Sequence, residues 1–323
     1  MSAAAPVLHW RVPHRFPVII GPTAGGKSDL GVEVALLLRA RGEPAEIVTA
    51  DSIQIYRDLD IGSAKPTMEE RRGVVHHLID VVEPTDRFSV DMWLDHAERK
   101  VADCRTRGVT PVVVGGTHLY IKAFLEGLFE GPEPDPRLRE ELRSLEPGAR
   151  RAELERVDPA AAARIHPNDE RRTVRALEIY RLTGTPISEL QRQWDAGRAR
   201  TDCVVAGLEW DVEALNRRIN ARVKGMMERG LLEETRRLFE AGRLGPQARE
   251  ALGYKQLVQH LIGDISLDEG IEQIKIETRR FAKNQRTWLR RLRTTPGSIW
   301  FEMPASPPCD VAQAIVDTTF APP

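Results

Sequence analysis

Near its start the chain carries a loop whose residue types suit phosphate binding. The stretch GPTAGGKS at residues 21–28 fits the pattern G-x-x-x-x-G-K-[ST]. In such a loop, glycines let backbone N–H groups converge on phosphate oxygens, the lysine adds positive charge, and the hydroxyl group can bind Mg²⁺. An apolar stretch precedes the loop and a helical pattern follows it, which disfavours a chance glycine-rich turn. The predicted phosphate-binding residues are Gly21, Pro22, Thr23, Ala24, Gly25, Gly26, Lys27 and Ser28, with Ser28 as the Mg²⁺ ligand.

A carboxylate at the end of the next apolar stretch is a candidate general base. Residues 46–51, EIVTAD, are predicted to form a buried strand that ends at Asp51. Doubly wound sheets bind ligands beyond the carboxyl ends of their strands, so Asp51 would face the same crevice as the phosphate loop. A cap for the following turn is an equally good interpretation of Asp51 from its position alone.

Nucleotide hydrolysis needs a further acidic residue, which holds Mg²⁺ at the end of a core strand. The most apolar candidate strand, PVVVGGT at residues 111–117, ends in two glycines and a threonine. Another candidate strand, HLIDVV at residues 77–82, contains Asp80, which keeps a metal-holding acid possible. The sequence therefore supports phosphate binding better than nucleotide hydrolysis.

Strand-like and helix-like stretches alternate over the first 130 residues, which predicts an α/β fold of the P-loop type with a doubly wound parallel sheet. After the Pro/Gly-rich residues 131–136 the chain is predicted to form short helices separated by prolines. Strand character returns at residues 201–210, helices follow, and a short last strand is predicted near residues 298–301. We therefore expect a tail over 1–15, a core domain over 16–130 and 201–323, and an all-helical insertion over 131–200.

The composition is that of an ordinary globular protein of 323 residues, 41% of them hydrophobic and 29% charged. The absence of a long apolar run argues against a membrane span or secretory signal, so a cytoplasmic location is the default expectation. Cys104, Cys203 and Cys309 are far apart and odd in number, which favours reduced thiols over disulfides or a zinc finger. We also expect a monomer without an obligate protein partner.

The formal net charge of −1 conceals a basic segment at residues 275–293, where Glu277 is the sole acid. Its cations recur every three or four residues and would form one stripe on a helix, with an apolar face elsewhere on that helix. Such a stripe is often only solvated surface, and contact with phosphates is the alternative. The predicted stripe consists of Arg279, Lys283, Arg286, Arg290 and Arg293, and the predicted apolar face of Ile274, Phe281, Trp288 and Leu292.

Three stretches together resemble the tRNA dimethylallyltransferases, also called tRNA isopentenyltransferases. They are GPTAGGKS, DSIQIYRDLDIGSAKP at residues 51–66, and VVVGGTHLYIKAFLEGL at residues 112–128. The resemblance extends from residue 16 to about residue 293. The chain has no C-terminal Cys/His zinc finger of the kind found in eukaryotic members, so the resemblance is to the bacterial type.

The resemblance implies transfer of a dimethylallyl group from dimethylallyl diphosphate to N6 of the adenosine on the 3′ side of a tRNA anticodon. It assigns the phosphate loop to the diphosphate, with Mg²⁺, and implies that Lys27, Asp51 and Thr117 are catalytic. The adenosine would be extruded from the anticodon stem-loop into a pocket, where Gln54 could read its edge. The implied tRNA-binding residues are Asp51, Ser52, Ile53, Gln54, Thr117, Arg139, Arg171, Arg172, Arg175, Arg249, Gly253, Tyr254, Lys283, Arg286 and Arg290.

Two other functions fit parts of the sequence. An adenylate isopentenyltransferase, acting on free AMP, ADP or ATP, would share the phosphate loop and the base, but has little need for a helical insertion or a basic helix. A P-loop NTPase that binds RNA would use the loop and the cationic stripe, and would hydrolyse nucleotide.

Overall fold

The computed structural model describes residues 15–128, 131–191 and 200–321. Within them the chain divides into two compact units. The first unit is formed by residues up to Phe124 and from Arg200 onward, and the second begins at Leu125. Of the tail expected over residues 1–15, all but Arg15 lies outside the described residues. No helix in the described ranges has the length and apolar character needed to cross a membrane.

The first unit contains a six-stranded sheet in which every strand pair is parallel. The strand order is β3-β2-β4-β1-β5-β6. Consecutive strands are joined by helices, as parallel pairing requires. The predicted doubly wound parallel sheet is therefore confirmed. The strands are β1 Phe16–Ile20, β2 Ala45–Ala50, β3 His76–His77, β4 Thr110–Gly115, β5 Cys203–Trp210 and β6 Ile299–Met303.

The third strand is much shorter than residues 77–82, for which the sequence predicts a strand. β3 pairs two residues with Ile47 and Val48 of β2, and then leaves the sheet. Leu78 and Asp80 have φ angles of 61° and 57°, a left-handed conformation that a strand cannot contain. The apolar pattern of HLIDVV thus reflects a partly buried, turning segment, and the prediction of a strand was wrong beyond His77.

The helices that follow the first strands join them to one hydrophobic core. Leu30, Val34 and Leu38 recur every four residues along the first helix, and all three are buried against the sheet. The third helix packs on β2 and β4, where Trp93 is fully buried and donates a hydrogen bond to the Thr49 carbonyl over 3.0 Å. These helices are α1 Lys27–Ala40, α2 Met68–Arg71, α3 Val90–Thr106 and α4 His118–Glu126.

The described part of the second unit is built from short helices around a small core of its own. Asp135, Asp158 and Asp169 each cap a helix by accepting hydrogen bonds from backbone N–H groups of its first turn. Leu142 and Leu177 are fully buried in the core. The helices are α5 Pro136–Ser144, α6 Pro147–Val157, α7 Pro159–Arg164, α8 Glu170–Thr183 and α9 Ile187–Leu190.

The chain returns to the first unit for β5 and its last helices, among which α13 carries the basic stripe. The buried face of α13 includes Ile274, Ala282, Gln285 and Leu289. Phe281, predicted for the apolar face, is 37% exposed instead, because its neighbour Ala282 occupies the inward position. The helices are α10 Val212–Glu228, α11 Leu231–Glu240, α12 Tyr254–Leu261, α13 Leu267–Leu289 and α14 Pro308–Phe320, and a 3₁₀ turn over Arg290–Thr294 continues α13.

Candidate active site

The central strands end at one level, so the residues that follow them meet at one edge of the sheet. Gly115 at the end of β4 is in register with Ile20 of β1 and with Ala50 of β2. The next residues along the chain begin the phosphate loop, the segment after β2, and the Gly116-Thr117 step. They enclose a cavity of about 290 Å³, lined among others by Lys27, Asp51 and Thr117. The structure thus brings together the three residues predicted to be catalytic.

Hydrogen bonds from side chains fix three carbonyl oxygens of the phosphate loop. Gly26 has a φ angle of 80°, which lets the chain turn from the loop into α1 without a side-chain cap. Each pinned carbonyl accepts a hydrogen bond from a side chain of the first unit, so the peptide dipoles of the loop are fixed. The bonds are Lys27 Nζ to Pro22 O at 2.7 Å, Arg218 Nε to Ala24 O at 2.8 Å, and Trp210 Nε1 to Gly25 O at 3.1 Å.

Only part of the loop's backbone amides is available to a ligand. The N–H of Thr23 donates to Gln285 Oε1 over 2.8 Å, and that of Gly25 donates to Pro22 O over 3.1 Å. The amides of Gly26, Lys27 and Ser28 form no hydrogen bond with any described residue. These three lie at the N-terminus of α1, where the helix dipole also favours an anion.

Two cations line the cavity beside the loop. Burial and the charge of Arg222 lower the pKa of Lys27 to about 8, although Asp51 opposes part of that shift. Arg222, which extends from α10, forms no hydrogen bond or ion pair with any described residue. Burial lowers the pKa of Arg222 as well, but a guanidinium remains charged at physiological pH. Lys27 and Arg222 thus place two positive charges, neither in an ion pair with a described residue, in one cavity that also contains Asp51, and these charges favour a bound anion.

Asp51 is both a cap and a free carboxylate. Its Oδ1 accepts hydrogen bonds from the N–H groups of Ile53 at 2.8 Å and Gln54 at 3.2 Å. Its Oδ2 has no hydrogen-bond partner among the described residues, and the half-buried side chain lines the cavity. The structure therefore shows that Oδ1 caps the turn, and it leaves Oδ2 available for the predicted role of general base. Thr117 Oγ1 accepts a hydrogen bond from the N–H of Ser52 at 3.1 Å, which ties the two strand ends together.

The segment after Asp51 is fixed by a buried carboxylate. Glu234 on α11 accepts hydrogen bonds from the N–H groups of Asp60 at 3.1 Å, Ile61 at 2.9 Å and Gly62 at 3.2 Å. It also accepts the hydroxyl of Tyr254 at 2.6 Å. Tyr254, implied by the resemblance to bind tRNA, is fully buried, so its side chain holds this segment instead.

The side chain of Gln54 also forms hydrogen bonds within the segment that follows Asp51. Its side chain is 7% exposed, and its Nε2 donates to the carbonyls of Ser63 and Ala64, both at 3.2 Å. This fixes the rotation of the amide and leaves Oε1 as the group that could accept a hydrogen bond from a ligand. Ser52, Ile53 and Gly253, the other implied tRNA contacts near the cavity, line it as well.

Asp80, which the sequence left open as a metal-holding acid, does not line the cavity. Asp80 Oδ1 lies 2.5 Å from Lys65 Nζ, in an ion pair that also includes Asp60 at 2.6 Å. Ser28 is exposed and lines the cavity, so its hydroxyl remains the candidate Mg²⁺ ligand. Mg²⁺ commonly binds few protein ligands and completes its coordination shell with substrate phosphates and water. A single hydroxyl group beside a diphosphate site fits this coordination.

Among the described residues, Glu46, His77 and Cys104 form a cluster whose spacing could hold a metal, and none of the three lines this cavity. Hydrogen bonds from Arg107 and His77 lower the pKa of Glu46 to about 2. Burial and the Glu46 carboxylate raise the pKa of Cys104 to about 12, which keeps the thiol protonated. The arginine already neutralises the carboxylate, so the cluster is an ion-paired network.

The predicted tRNA-binding cations differ in their exposure and in whether they form ion pairs. Lys283, Arg286 and Arg290 border an apolar groove of about 510 Å³ and form no ion pair with any described residue. In the first unit Arg249 is also exposed and lies 5.6 Å from the ring of Phe239.

Two cations of the second unit are committed to a buried acid. Arg139 and Arg175 contact Glu178, which is fully buried, at 2.8 Å and 2.5 Å. Burial alone would raise the pKa of Glu178, but these hydrogen bonds hold it below its usual value. Arg171 and Arg172 are exposed, and Arg172 lies 3.3 Å from Asp169. The exposed pair is therefore better placed to contact phosphates.

Sequence reasoning missed three residues that shape the site. Arg222 supplies charge, Gln285 binds the loop, and Glu234 fixes the segment after Asp51. For Arg222 the signal was present, since Arg218 and Arg222 are four residues apart on one helix beside buried Ile219 and Val223. For the other two no local pattern exists, because their backbone partners lie more than 160 residues away.

Comparison with known proteins decides the family. A profile described as IPP transferase matches residues 54–292, and one described as Isopentenyl transferase matches residues 14–81. A tRNA dimethylallyltransferase of Shouchella clausii is 44% identical over 290 residues, 88% of this chain and 90% of the relative. The chain belongs to the tRNA dimethylallyltransferase family. Another family member, from Geobacter metallireducens, is 43% identical over 90% of this chain and 93% of the relative.

Solved structures of the family share the fold. The tRNA isopentenylpyrophosphate transferase of Bacillus halodurans matches with a TM-score of 0.69 and 36% identity, over 95% of this chain and 97% of that one. A eukaryotic dimethylallyltransferase acting on tRNA matches with a TM-score of 0.74 and 28% identity, over 89% of this chain and 73% of that one. The predicted family resemblance is therefore confirmed.

Proposed function

We propose that this protein transfers the dimethylallyl group of dimethylallyl diphosphate to N6 of the adenosine on the 3′ side of a tRNA anticodon. The observation that carries the proposal is a single cavity lined by a phosphate loop, two cations and a carboxylate with a free oxygen. Membership of the tRNA dimethylallyltransferase family supports the same reaction. In it, a bond forms between N6 and C1 of the prenyl group as the bond from C1 to the diphosphate oxygen breaks.

The loop end of the cavity would hold the departing diphosphate. The free amides of Gly26, Lys27 and Ser28, with the charges of Lys27 and Arg222, would bind its oxygens. Negative charge on the diphosphate grows as the C1–O bond breaks, so fixed positive groups stabilise the transition state more than the bound substrate. Mg²⁺ bound through Ser28 would neutralise part of the same charge.

Asp51 would accept the proton that N6 loses. Its Oδ1 is fixed by two backbone N–H groups, so Oδ2 has a defined position and needs little reorganisation to accept a proton. The hydrogen bond from Ser52 to Thr117 holds the end of β4 against the same turn. The adenosine must leave its stack to reach this point, as it does in other base-modifying enzymes. Oε1 of Gln54 would then accept a hydrogen bond from the base.

Apolar side chains provide a wall for the prenyl group. Val223, Met226, Leu231, Ile274 and Phe281 line the cavity together with the polar groups. An apolar wall binds the hydrocarbon part of the donor and keeps water from the reactive carbon. The donor would thus be held at both ends, by charge at its diphosphate and by burial of its five-carbon chain.

The anticodon stem-loop would be bound through cations outside the cavity. Lys283 and Arg290 of the first unit, and Arg171 and Arg172 of the second, have the exposure that phosphate contacts need, and Arg286 is half-buried. Such contacts orient an RNA without reading its sequence and weaken steeply with salt. We also propose a cytoplasmic location, where tRNA is available as the substrate.

The test uses the purified protein, dimethylallyl diphosphate and Mg²⁺ with either an unmodified tRNA or AMP. The expected result is a mass increase on one adenosine of the tRNA and none on AMP. Prenylated AMP without prenylated tRNA would favour the adenylate isopentenyltransferase instead. Hydrolysis of ATP without any prenyl transfer would favour the RNA-binding NTPase and refute the proposal.

A further inference from the structure

Gln285 is a buried polar residue whose amide is committed to the active site. Its side chain is 3% exposed, on the inner face of α13. Oε1 accepts the N–H of Thr23 in the phosphate loop at 2.8 Å, and Nε2 donates to the carbonyl of Gly116 at 2.6 Å. One side chain therefore joins the loop after β1 to the strand end after β4.

Both bonded groups stand next to the anion site. The peptide of Thr23 belongs to the loop whose later amides have no hydrogen-bond partner among the described residues. A Cβ atom built on Gly116 would lie 2.9 Å from Gln285 Nε2 and 3.1 Å from Lys27 Nζ, so the amide and the ammonium group flank the same backbone. A displacement of Gln285 would therefore shift groups on both sides of Lys27.

The helix that carries Gln285 also carries cations next to it. Exposed Lys283 precedes it by two residues and half-buried Arg286 follows it directly, and both line the groove between α10 and α13. A helix moves as a rigid rod over one turn, since its backbone hydrogen bonds fix the spacing of neighbouring side chains. A phosphate bound by these cations and a diphosphate bound at the loop therefore act on one structural element.

We propose that Gln285 is a positioning residue that couples the cationic face of α13 to the phosphate loop. This inference rests on the proposed function, because it concerns the diphosphate and the RNA of that reaction. RNA contact at α13 restrains the helix, the restrained amide holds the loop in its anion-binding shape, and diphosphate binds more tightly. By thermodynamic reciprocity, bound diphosphate tightens RNA binding by the same factor.

The experiment measures the Kd of dimethylallyl diphosphate, with Mg²⁺, in the absence and in the presence of an anticodon stem-loop RNA. In the natural protein, we expect the RNA to tighten diphosphate binding by roughly fivefold or more, the lower end of usual coupling. Gln285→Met keeps the length of the side chain and removes both hydrogen bonds. It should weaken diphosphate binding roughly tenfold and abolish the effect of RNA.

A second variant guards against a general loss of structure. Gln285→Glu keeps the acceptor for the N–H of Thr23, loses the donor for Gly116, and adds negative charge beside Lys27. Diphosphate binding should weaken more than in the methionine variant, while RNA alone binds normally. The matched control is Leu289→Ala, one turn further on the buried face of α13, which should lower the melting temperature and leave the coupling intact.

Each outcome decides the inference. Unchanged coupling in the folded Gln285→Met protein overturns it, and so does loss of coupling in Leu289→Ala to the same degree. Weaker diphosphate binding in Gln285→Met, without any RNA effect in the natural protein, removes the coupling as well. Failure of the natural protein to bind dimethylallyl diphosphate at all would instead refute the proposed function, and the inference with it.

Discussion

The two oxygens of Asp51 can be tested separately, because asparagine retains one of them. In Asp51→Asn the amide oxygen still accepts the N–H groups of Ile53 and Gln54, at present 2.8 and 3.2 Å away. The group that replaces Oδ2 is an NH₂, which cannot accept a proton from N6. Asp51→Ala loses the cap and the base together.

The expected magnitudes differ for the two roles. Loss of a general base typically lowers the rate of the chemical step by about a hundredfold to ten-thousandfold. Loss of a capping side chain costs about 0.5–2 kcal/mol of stability. Asp51→Asn should therefore lose most of its rate and keep its melting temperature, while Asp51→Ala loses the rate and melts a few degrees lower.

The assay is single-turnover prenyl transfer to an anticodon stem-loop RNA with saturating dimethylallyl diphosphate, combined with thermal unfolding of each protein. RNA affinity should stay close to normal in both variants. Near-normal single-turnover rates in Asp51→Asn would refute the assignment of Asp51 as the base and leave it as a cap alone. Lost RNA affinity with a normal rate at saturation would place Asp51 in RNA binding instead.

Further predictions concern charge and position. Because the pKa of Lys27 is lowered to about 8, Lys27 is charged below that pH and loses its proton above it, so the Kd of the diphosphate should rise by up to about tenfold per pH unit above 8, a slope that Lys27→Met should lack. Arg222→Gln should raise the KM for dimethylallyl diphosphate by roughly tenfold or more without changing RNA affinity, as binding assays with each substrate would show. Glu234→Gln should cost about 1–3 kcal/mol in denaturant unfolding and lower kcat, because one of its two acceptor oxygens becomes an NH₂ donor that faces backbone N–H groups, whereas exposed Glu233→Gln should change neither. Arg290→Gln should reduce the slope of log affinity for RNA against log salt by roughly one.

Each of these has an outcome that contradicts it. A flat pH profile for diphosphate binding above pH 8 in the natural protein would mean that Lys27 keeps its proton in the cavity. An unchanged KM in Arg222→Gln would separate that arginine from the diphosphate. Equal effects of the Glu233 and Glu234 changes would show a general charge effect, and an unchanged salt slope would remove Arg290 from the RNA interface.

Local patterns predicted the parts of the site that depend on chain order. The phosphate loop lies between a strand and a helix because glycines and an apolar run are adjacent in sequence. Asp51 and Thr117 come to the same edge because they directly follow strands, and parallel strands align their carboxyl ends. The prediction of a strand over residues 77–82 failed beyond His77, because a pattern of apolar residues cannot distinguish a strand from a partly buried segment with left-handed residues.

Side chains that act at a distance were not predictable in this way. Gln285 has the same local surroundings as any polar residue in a basic helix, and only the packing of α13 puts its amide 2.8 Å from the loop. No local feature of the sequence distinguishes Glu234 from its exposed neighbour Glu233. Glu234 is nevertheless buried and accepts hydrogen bonds from three backbone N–H groups. Arg139 and Arg175, which the resemblance implies as tRNA contacts, both form ion pairs with the buried carboxylate of Glu178.

The chemistry that a phosphate loop serves is therefore fixed by residues outside its own pattern. Glycine, lysine and serine specify that an anion binds, but the carbonyls held by Trp210 and Arg218 specify which amides face it. Arg222 adds charge that a leaving diphosphate needs when its ester bond breaks. In the proposed reaction the free oxygen of Asp51 would receive the proton of the attacking nucleophile, since an amine that attacks carbon must lose one. An anion site and a proton acceptor in one cavity with apolar walls are the requirements of transfer from a diphosphate ester to an amine.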